Sequence, residues 1–382
     1  MTPNIRSKLP KIRTTIFTTV GNLARKHKAI DLSQGFPDFE VDTSLIALVN
    51  QAMENGHNQY SPMQGLLELR EVLSHKIKKL HKKYYDPISE ITVVAGATQA
   101  IFTSITAFVH PGDEVIVLKP AYDCYEPAIK VNGGVPVHVS LEAPCYQIDW
   151  EFFKTKISSK TRMVIINTPH NPVGRIFSKK DMLQLQEILS DTNIILLSDE
   201  VYEHLIFDGE QHQSASRFPD LASRSIICSS FGKTFHVTGW KIGYCVAPKE
   251  LMQEFQKVHQ FNVFCAPRPV QHALATYLKT ESHYLNLGAF YQQKRDFFLN
   301  AIKDSRFTFM PSQGSFFQLL DYSKITDERD DEFVKRLIVE HQIASIPVSE
   351  FNLNDRNDHM LRFCFAKKEE TLRKAATILN GL

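Results

Sequence analysis

The stretch SSFGKTFHVTGWKIGY, residues 229–244, contains a lysine that could serve two kinds of chemistry. Gly232, Lys233 and Thr234 match the end of a nucleotide-binding phosphate loop, but that loop needs a glycine five positions before Gly232, where this sequence has Ile227. The alternative is a lysine that forms an imine with an aldehyde cofactor. That role requires other parts of the chain to hold the cofactor beside Lys233, so the rest of the sequence must be searched for them.

The composition limits the kinds of molecule that the protein is expected to bind. The chain has 382 residues, 43% apolar and 23% charged, so it can bury a large core in two or three structural units. Its 44 lysines and arginines nearly balance 42 acidic residues, which argues against binding to nucleic acid or to an anionic membrane. No apolar run approaches the roughly 20 residues that span a bilayer. We therefore expect a cytoplasmic protein that acts on small molecules.

Cysteine and histidine spacings do not indicate a metal site. The six cysteines include no Cys-x-x-Cys pair, which disfavours both a zinc site and a disulfide framework. None of the fifteen histidines stands in a His-Glu-x-x-His or comparable spacing. We therefore expect reduced thiols and no bound metal.

Short apolar runs alternate with helical patterns between about residues 90 and 250, which is typical of an α/β fold. A helix is predicted over residues 178–191, SKKDMLQLQEILSD, with Ser178 and Asp181 as a capping box. Nearly all the runs are apolar on both faces, as strands between two helix layers must be. They begin at Ile91, Glu114, Val135, Arg162, Asn193, Ser225 and Lys241. We predict a mostly parallel seven-stranded sheet between helix layers.

Both ends of the chain differ from this central region. They carry long amphipathic patterns, such as DEFVKRLIVEHQ and KKEETLRKAATIL, with fewer strands between them. We assign residues 46–275 to a large domain, and residues 1–45 together with 276–382 to a smaller α+β domain. A parallel sheet binds ligands outside the carboxyl ends of its strands, so candidate site residues should gather at that edge.

Polar and aromatic residues follow the predicted strands. After ITVVA comes Gly96-Ala97-Thr98, where free backbone N–H groups at the start of an apolar helix would suit a phosphate. After EVIVLK comes Tyr122, whose ring could stack on a flat heterocycle. The later strands are followed by Asn167, Asn171, Asp199, Tyr202, Ser230 and Lys233. Each alone has an ordinary explanation as a cap, turn or core residue, but their joint placement at one edge is hard to obtain by chance.

Six motifs carry a resemblance to a known family. In chain order they are AGATQA, KPAYDCYEP, NTPHNPVG, SDEVYEHL, SSFGKTFHVTGWKIGY and RFCFAK. Together they resemble the fold-type I pyridoxal-phosphate enzymes of the class I aminotransferases, and most of all the bacterial methionine aminotransferases and the kynurenine aminotransferase and glutamine transaminase group. The similarity extends from LSQGFPDF to LRFCFAKKEETL. It implies transfer of an α-amino group between an amino acid and a 2-oxo acid, with pyridoxal 5′-phosphate as cofactor.

The resemblance implies a role for each residue around the cofactor. Lys233 would bond to its aldehyde and move the substrate proton, and Asp199 would keep its ring nitrogen protonated, because only a nearby negative charge holds a pyridinium at neutral pH. Asn171 and Tyr202 would hydrogen-bond the 3′-oxygen, and Tyr122 would stack on the ring. The phosphate would be held by Ala97, Thr98, Ser230 and Lys241. Many relatives have arginine at the last of these positions, and a lysine recognises phosphate with less strict geometry.

The resemblance also implies how substrate binds and how subunits associate. Arg362 in LRFCF matches the arginine that binds the α-carboxylate through two parallel hydrogen bonds, and Gly35 with Asn171 would complete that grip. Tyr60 matches a tyrosine that reaches the phosphate of the partner subunit. The implied assembly is a homodimer with shared active sites.

The side-chain pocket is expected to be apolar. We find no motif-matched arginine for a distal carboxylate, although Arg268 in CAPRP lies near enough in sequence to leave that open. Phe17, Phe36 and Phe264 would favour methionine or an aromatic amino acid, unless these rings belong to the core. Cys265 stands where kynurenine-type relatives have histidine, which argues against kynurenine as the preferred donor.

Two other functions stay open on the same fold. One is β-elimination from cysteine conjugates, in which a sulfur leaving group departs after loss of the same substrate proton. The other is a non-catalytic protein that senses the cofactor and regulates transcription. Such a regulator would normally need an added DNA-binding unit, and we expect no room for one before Leu32.

Overall fold

The structure, a computed structural model, describes residues 4–382. Its strands are β1 (Ile30–Asp31), β2 (Ile91–Val94), β3 (Glu114–Lys119), β4 (Val135–Ser140), β5 (Thr161–Asn167), β6 (Ile195–Asp199), β7 (Ser225–Ser230), β8 (Gly243–Val246), β9 (Phe317–Asp321), β10 (Ile343–Ala344), β11 (Ile346–Pro347) and β12 (Met360–Cys364). Its α-helices are α1 (Ile16–His27), α2 (Thr43–Glu54), α3 (Leu67–His81), α4 (Ala97–Phe108), α5 (Tyr125–Val131), α6 (Trp150–Thr155), α7 (Lys179–Leu189), α8 (Pro219–Ala222), α9 (Phe231–Thr234), α10 (Lys249–Asn262), α11 (Arg268–Tyr277), α12 (Ser282–Leu285), α13 (Leu287–Ala301), α14 (Asp330–His341) and α15 (Glu369–Asn380).

The seven predicted apolar runs form one sheet, in the order β2-β8-β7-β6-β5-β3-β4. Strands β4, β3, β5, β6 and β7 pair in parallel, and β8 runs antiparallel to both β7 and β2. The prediction of a mostly parallel seven-stranded sheet is therefore confirmed. Because the pairing is parallel, the residues that follow β5, β6 and β7 emerge at the same edge.

Helices cover both faces of this sheet, and side chains alternate between two cores. In β3, Val115 and Val117 pack in the core that contains Ile101 of α4, whereas Ile116 and Leu118 pack in the core that contains Leu185 and Met182 of α7. Successive side chains of a strand point to opposite faces, so apolar residues at every position are needed for a strand buried on both sides.

The helix predicted over residues 178–191 is present as α7, between β5 and β6. The Ser178 hydroxyl accepts from the Asp181 N–H, and the Asp181 carboxylate accepts from the Ser178 N–H, which is the complete capping box. The local sequence was sufficient to predict this helix because both partners of the cap lie within four residues.

The two ends of the chain meet in a separate set of strands. Strand β1 pairs in parallel with β10, joining Ile30 to Ile343, and β11, β12 and β9 form an antiparallel sheet. This pairing supports a second unit built from both termini, while its boundaries, after residue 45 and before residue 276, stay a prediction. Residues 1–3 of that unit lie outside the described residues. No helix in the described part of the chain is long and apolar enough to cross a bilayer.

Candidate active site

A cavity of about 350 Å³ opens at the carboxyl ends of the central strands. Most of the residues predicted for the site line it, and they come from strand ends more than 100 residues apart in sequence as well as from the C-terminal sheet. The lining includes Phe17, Gly35, Phe36, Ala97, Thr98, Tyr122, Asn171, Asp199, Tyr202, Ser230, Lys233, Lys241 and Arg362. The described residues contain no cluster of histidine, cysteine and acidic side chains suited to a metal ion.

Lys233 lies on the one-turn helix α9, directly after β7. Its Nζ donates to the Gly35 carbonyl oxygen at 2.7 Å and lies 5.9 Å from the centre of the Tyr202 ring. Desolvation in the pocket lowers the pKa of this amine to about 8. An amine with such a pKa is partly neutral near physiological pH, as a nucleophile or a base must be.

Gly35 approaches this lysine so closely that a side chain would not fit. A Cβ placed on Gly35 would lie 2.6 Å from Cζ of Phe317 and 3.7 Å from the Lys233 Nζ. The glycine in QGFP is therefore required by packing between the N-terminal segment and β9.

Asp199 ends β6 and is buried beneath the cavity. Burial raises the pKa of its carboxyl to about 6, and a hydrogen bond from the Tyr125 hydroxyl to Oδ2, 2.6 Å long, opposes that rise. Tyr125 was not among the predicted site residues. A signal was present in KPAYDCYEP, because Tyr125 follows Tyr122 by three positions and begins helix α5, and the two rings lie 5.8 Å apart.

Two asparagines organise the turn after β5. The side-chain amide of Asn167 donates to the Asp199 carbonyl oxygen at 2.9 Å, and its Oδ1 accepts from the Asn171 N–H at 2.7 Å. Asn167 therefore ties the end of β5 to the end of β6 and sets the position of Asn171. Both residues are buried, so their polar atoms need these partners.

Arg362 reaches the cavity from β12 and is buried. Its guanidinium donates to Asn171 Oδ1 at 2.7 Å and to the Ser33 carbonyl oxygen at 2.9 Å, and it lies 3.9 Å from the centre of the Phe317 ring. Burial lowers its pKa to about 10, so it stays charged at neutral pH. Its Nε has no hydrogen-bond partner among residues 4–382. A planar cation held beside a ring and fixed by these hydrogen bonds suits bidentate binding of a carboxylate.

The start of α4 forms an anion site. No side chain caps this helix at Gly96, whose φ is 85°, so the N–H groups of its first turn are available. A Cβ on Gly96 would lie 3.5 Å from the Lys241 Nζ, which places that ammonium beside the helix start. A helix N-terminus, a lysine and the hydroxyls of Thr98 and Ser230 around one cavity fit a phosphate monoester. With Lys233 and Asp199 nearby, these donors fit pyridoxal 5′-phosphate.

A buried glutamate, Glu203, supports the turn that carries Asp199 and Tyr202. Glu203, next to Tyr202, accepts from Lys76 at 2.9 Å, from Ser229 at 2.8 Å and from the Tyr244 hydroxyl. Sequence reasoning missed this network, since Lys76 is more than 120 residues from Glu203 and no local pattern connects them. The network ties α3 to the sheet directly behind the cavity.

Two predicted residues, Tyr60 and Phe264, do not line the cavity of their own chain. Tyr60 is 78% exposed and Phe264 is 43% exposed, and their rings contact edge to face at 5.4 Å. Phe264 has a φ of 69° at the end of α10, and it packs on Tyr60 at the surface instead of entering the cavity. Its predicted role in a substrate pocket therefore stays a prediction, and the ring does not contribute to the cavity of its own chain. Arg268 also lies outside the cavity lining.

Comparison with known proteins agrees with the geometry. Residues 27–379 match the family described as aminotransferase class I and II. The methionine aminotransferase of Escherichia coli (strain K12) is 45% identical over 378 residues, which cover 99% of this chain and 98% of that protein. Kynurenine–oxoglutarate transaminase 1 of Rattus norvegicus is 32% identical over 409 residues, covering 98% of this chain and 97% of that protein.

The fold is similar to that of a solved structure over the full length of both chains. The crystal structure of YbdL from Escherichia coli, reported to identify a methionine aminotransferase function, superposes with a TM-score of 0.97 at 45% identity and covers 100% of each chain. Because these matches extend over nearly the whole sequence, the protein belongs to the class I and II aminotransferases and is a pyridoxal-phosphate-dependent transaminase.

Proposed function

We propose that the protein transfers the α-amino group of methionine, and of other apolar or aromatic amino acids, to a 2-oxo acid. The observation that carries the proposal is one cavity lined by Lys233, Asp199 and Arg362. It occurs in a chain that is 45% identical over its length to a methionine aminotransferase.

Different residues around the cavity would bind different parts of the cofactor. Lys233 would bond to the aldehyde, Asp199 would pair with the ring nitrogen, Asn171 and Tyr202 would bind the 3′-oxygen, and Tyr122 would cover a ring face. The phosphate would lie against Ala97, Thr98, Ser230 and Lys241. When bound, pyridoxal phosphate supplies a ring that withdraws the electrons left at the substrate Cα after its proton departs.

The chain's own groups would bind substrate and move the proton. Arg362 and Asn171 would hold the α-carboxylate, and that grip would direct the substrate Cα toward Lys233. The Lys233 amine, with its lowered pKa, would take the proton from Cα and return it. The Asp199 carboxylate would keep a positive charge on the ring nitrogen through this transfer.

The substrate side chain would meet an apolar surface. Phe17 and Phe36 line the cavity, together with Ile101 and Val201. The cations of the lining are Lys233, Lys241 and Arg362 within the described residues, and each has a proposed partner, so none is left for a distal carboxylate. An apolar pocket discriminates by only about 1–3 kcal/mol per methylene, so several amino acids should be accepted.

A panel of amino donors tests this function. The purified protein is mixed with pyridoxal phosphate, a 2-oxo acid and each donor in turn, and kcat/KM is measured from the oxo-acid product. We expect methionine to lead, with phenylalanine, tyrosine, leucine, glutamine and histidine as weaker donors. Aspartate or glutamate ahead of methionine would contradict the pocket argument. Pyruvate and ammonia from cysteine conjugates, without amino-group exchange, would show a β-lyase instead.

We further propose that the enzyme works in the cytoplasm as a homodimer. The support is the exposed pair of contacting rings, Tyr60 and Phe264, with the exposed Phe261 three residues before Phe264, since large apolar groups at a surface commonly mark a site of association. In such a dimer Tyr60 would contribute to the phosphate site of the partner subunit. Sedimentation of the purified protein, and fractionation of cells, would test the two parts of this proposal.

A further inference from the structure

Tyr125 makes the closest contact to the carboxylate of Asp199. Its hydroxyl donates to Oδ2 at 2.6 Å, whereas Oδ1 receives only the Val201 N–H, at 3.3 Å. Among the described residues it is the single side chain that hydrogen-bonds to this carboxylate. Both Tyr125 and Asp199 are almost completely buried, so water does not compete for this hydrogen bond.

The tyrosine is held firmly because its neighbour in the chain is anchored. Glu126 accepts from Lys119 at 3.1 Å and from Lys130 at 2.7 Å, and its carboxylate lies 3.2 Å from Nε2 of His138. These partners come from β3, α5 and β4, and together they lower the pKa of Glu126 below its usual range. The first turn of α5, and with it Tyr125, is thereby fixed to the sheet.

Asp199 is surrounded by groups of both charge types. Lys233 faces it from α9, Cys228 lies on β7, and Tyr122 and Cys124 precede α5. Tyr202 and Glu200 belong to its own turn. Glu200 repels a charge on Asp199, although its carboxylate is bonded to Ser198, His212 and the Ala215 N–H. Burial and Glu200 favour a proton on Asp199, whereas Lys233 and Tyr125 oppose it.

We propose that Tyr125 is a positioning residue that keeps the Asp199 carboxylate ionised and directs it toward the ring nitrogen of the cofactor. A hydroxyl donor favours the charged form of a carboxylate, and it also fixes the rotation of the carboxyl group. The part of this inference that concerns the cofactor rests on the proposed role of Asp199. The hydrogen bond from Tyr125 and its effect on the ionisation of Asp199 do not depend on the cofactor.

The test compares the wild-type protein with Tyr125→Phe, which removes only the hydroxyl. Tyr85→Phe is the matched control, because Tyr85 is also buried and its hydroxyl contacts neutral Ser216. The free energy of unfolding of the full-length, cofactor-free chain is measured in urea between about pH 4 and pH 8. The quantity of interest is the difference between each variant and the wild type.

The sign follows from proton linkage. The pKa of Asp199 is raised to about 6 in the folded protein. The free energy of unfolding therefore decreases as pH rises from the pKa of Asp199 in the unfolded chain to about 6, and is constant above that pH. Without the tyrosine hydroxyl the folded pKa should be about one unit higher. The unfolding constant of Tyr125→Phe relative to wild type should then increase about tenfold between pH 5 and pH 8. The Tyr85→Phe difference should stay flat.

A second substitution should change the pH-dependent difference in the opposite direction. It also keeps the test valid if Tyr125→Phe does not fold. Replacing Tyr125 with 3-fluorotyrosine keeps the shape but makes the hydroxyl a stronger donor, so the pH-dependent difference should reverse. With pyridoxal phosphate bound, both differences should shrink, because a positive charge beside Asp199 keeps it ionised in every variant. Differences independent of pH for both substitutions would overturn the inference. Since this readout needs no turnover, it can succeed even if the donor panel refutes the proposed function.

Discussion

The pKa of the Lys233 amine is the residue property on which the proposed chemistry most depends. Its pKa is lowered to about 8, mainly by desolvation and also by the charges of Arg362 and Lys241, while Cys364 and Asp199 act in the opposite direction. In water a lysine amine is almost entirely protonated at neutral pH, so it can neither bond to an aldehyde nor accept a proton. Placement in the cavity therefore changes an ordinary lysine into a usable base.

Replacement of Lys233 tests this role directly. Lys233→Ala should bind pyridoxal phosphate without the absorption band of the lysine-bound form, and turnover of methionine should fall roughly a thousandfold. Lys257→Ala, at an exposed lysine paired with Glu254, is the control and should keep full activity. Circular dichroism checks that the fold survives. Full turnover by Lys233→Ala would mean that another group moves the proton.

At the scale of elements, two separate sheets build the proposed carboxylate site. Asn171 lies on the turn after β5 of the central sheet, and Arg362 lies on β12 of the antiparallel sheet, yet their side chains are joined by a 2.7 Å hydrogen bond. Phe317 of β9 supports the guanidinium from one side. The relative placement of the two sheets therefore sets the geometry of the substrate grip.

Arg362→Lys tests whether the planar fork matters beyond its charge. A lysine keeps the positive charge but cannot form two parallel hydrogen bonds, so kcat/KM for methionine should fall roughly tenfold to a hundredfold. Arg356→Lys is the matched control, since Arg356 pairs with Glu142 and Asp358 away from the cavity. Steady-state kinetics of both variants measure the effect. Equal kcat/KM values would show that Arg362 does not bind the carboxylate.

At the scale of the whole molecule, the exposed pair of Tyr60 and Phe264 suggests that one chain does not hold a complete site. Both rings lie outside the cavity of their own chain, although family resemblance connects Tyr60 to cofactor phosphate. In a two-fold dimer the same surface of each chain would face its partner, so each site could receive Tyr60 from the other chain.

Mixing two inactive variants tests the shared site. In a dimer of Lys233→Ala with Tyr60→Ala, the chain that keeps Lys233 would receive an intact Tyr60 from its partner. After unfolding and refolding an equal mixture, about a quarter of wild-type activity should return, because about half of the dimers are mixed and each has one complete site. Each variant refolded alone is the control. Activity no greater than the mean of the two variants would contradict shared sites.

The central strands and the order of site residues could be predicted from the sequence because their determinants are local. Apolar runs buried on both faces mark the strands, and Ser178 with Asp181 marks the start of α7 within four residues. Parallel pairing then brings the residues after β5, β6 and β7 to one edge, so Asn171, Asp199 and Lys233 could be placed together before any contact was known.

Only the tertiary structure decided which side chains touch across long separations. Tyr125 and Asp199 are 74 residues apart, and Lys233 and Gly35 are 198 apart, so no periodicity relates them. The surface position of Phe264 could not be predicted either, because the local sequence does not distinguish a phenylalanine in a pocket from one in a core or at an interface. Such contacts depend on how whole layers pack against each other, which is the sum of many weak interactions distributed along the chain and not a property of any short segment.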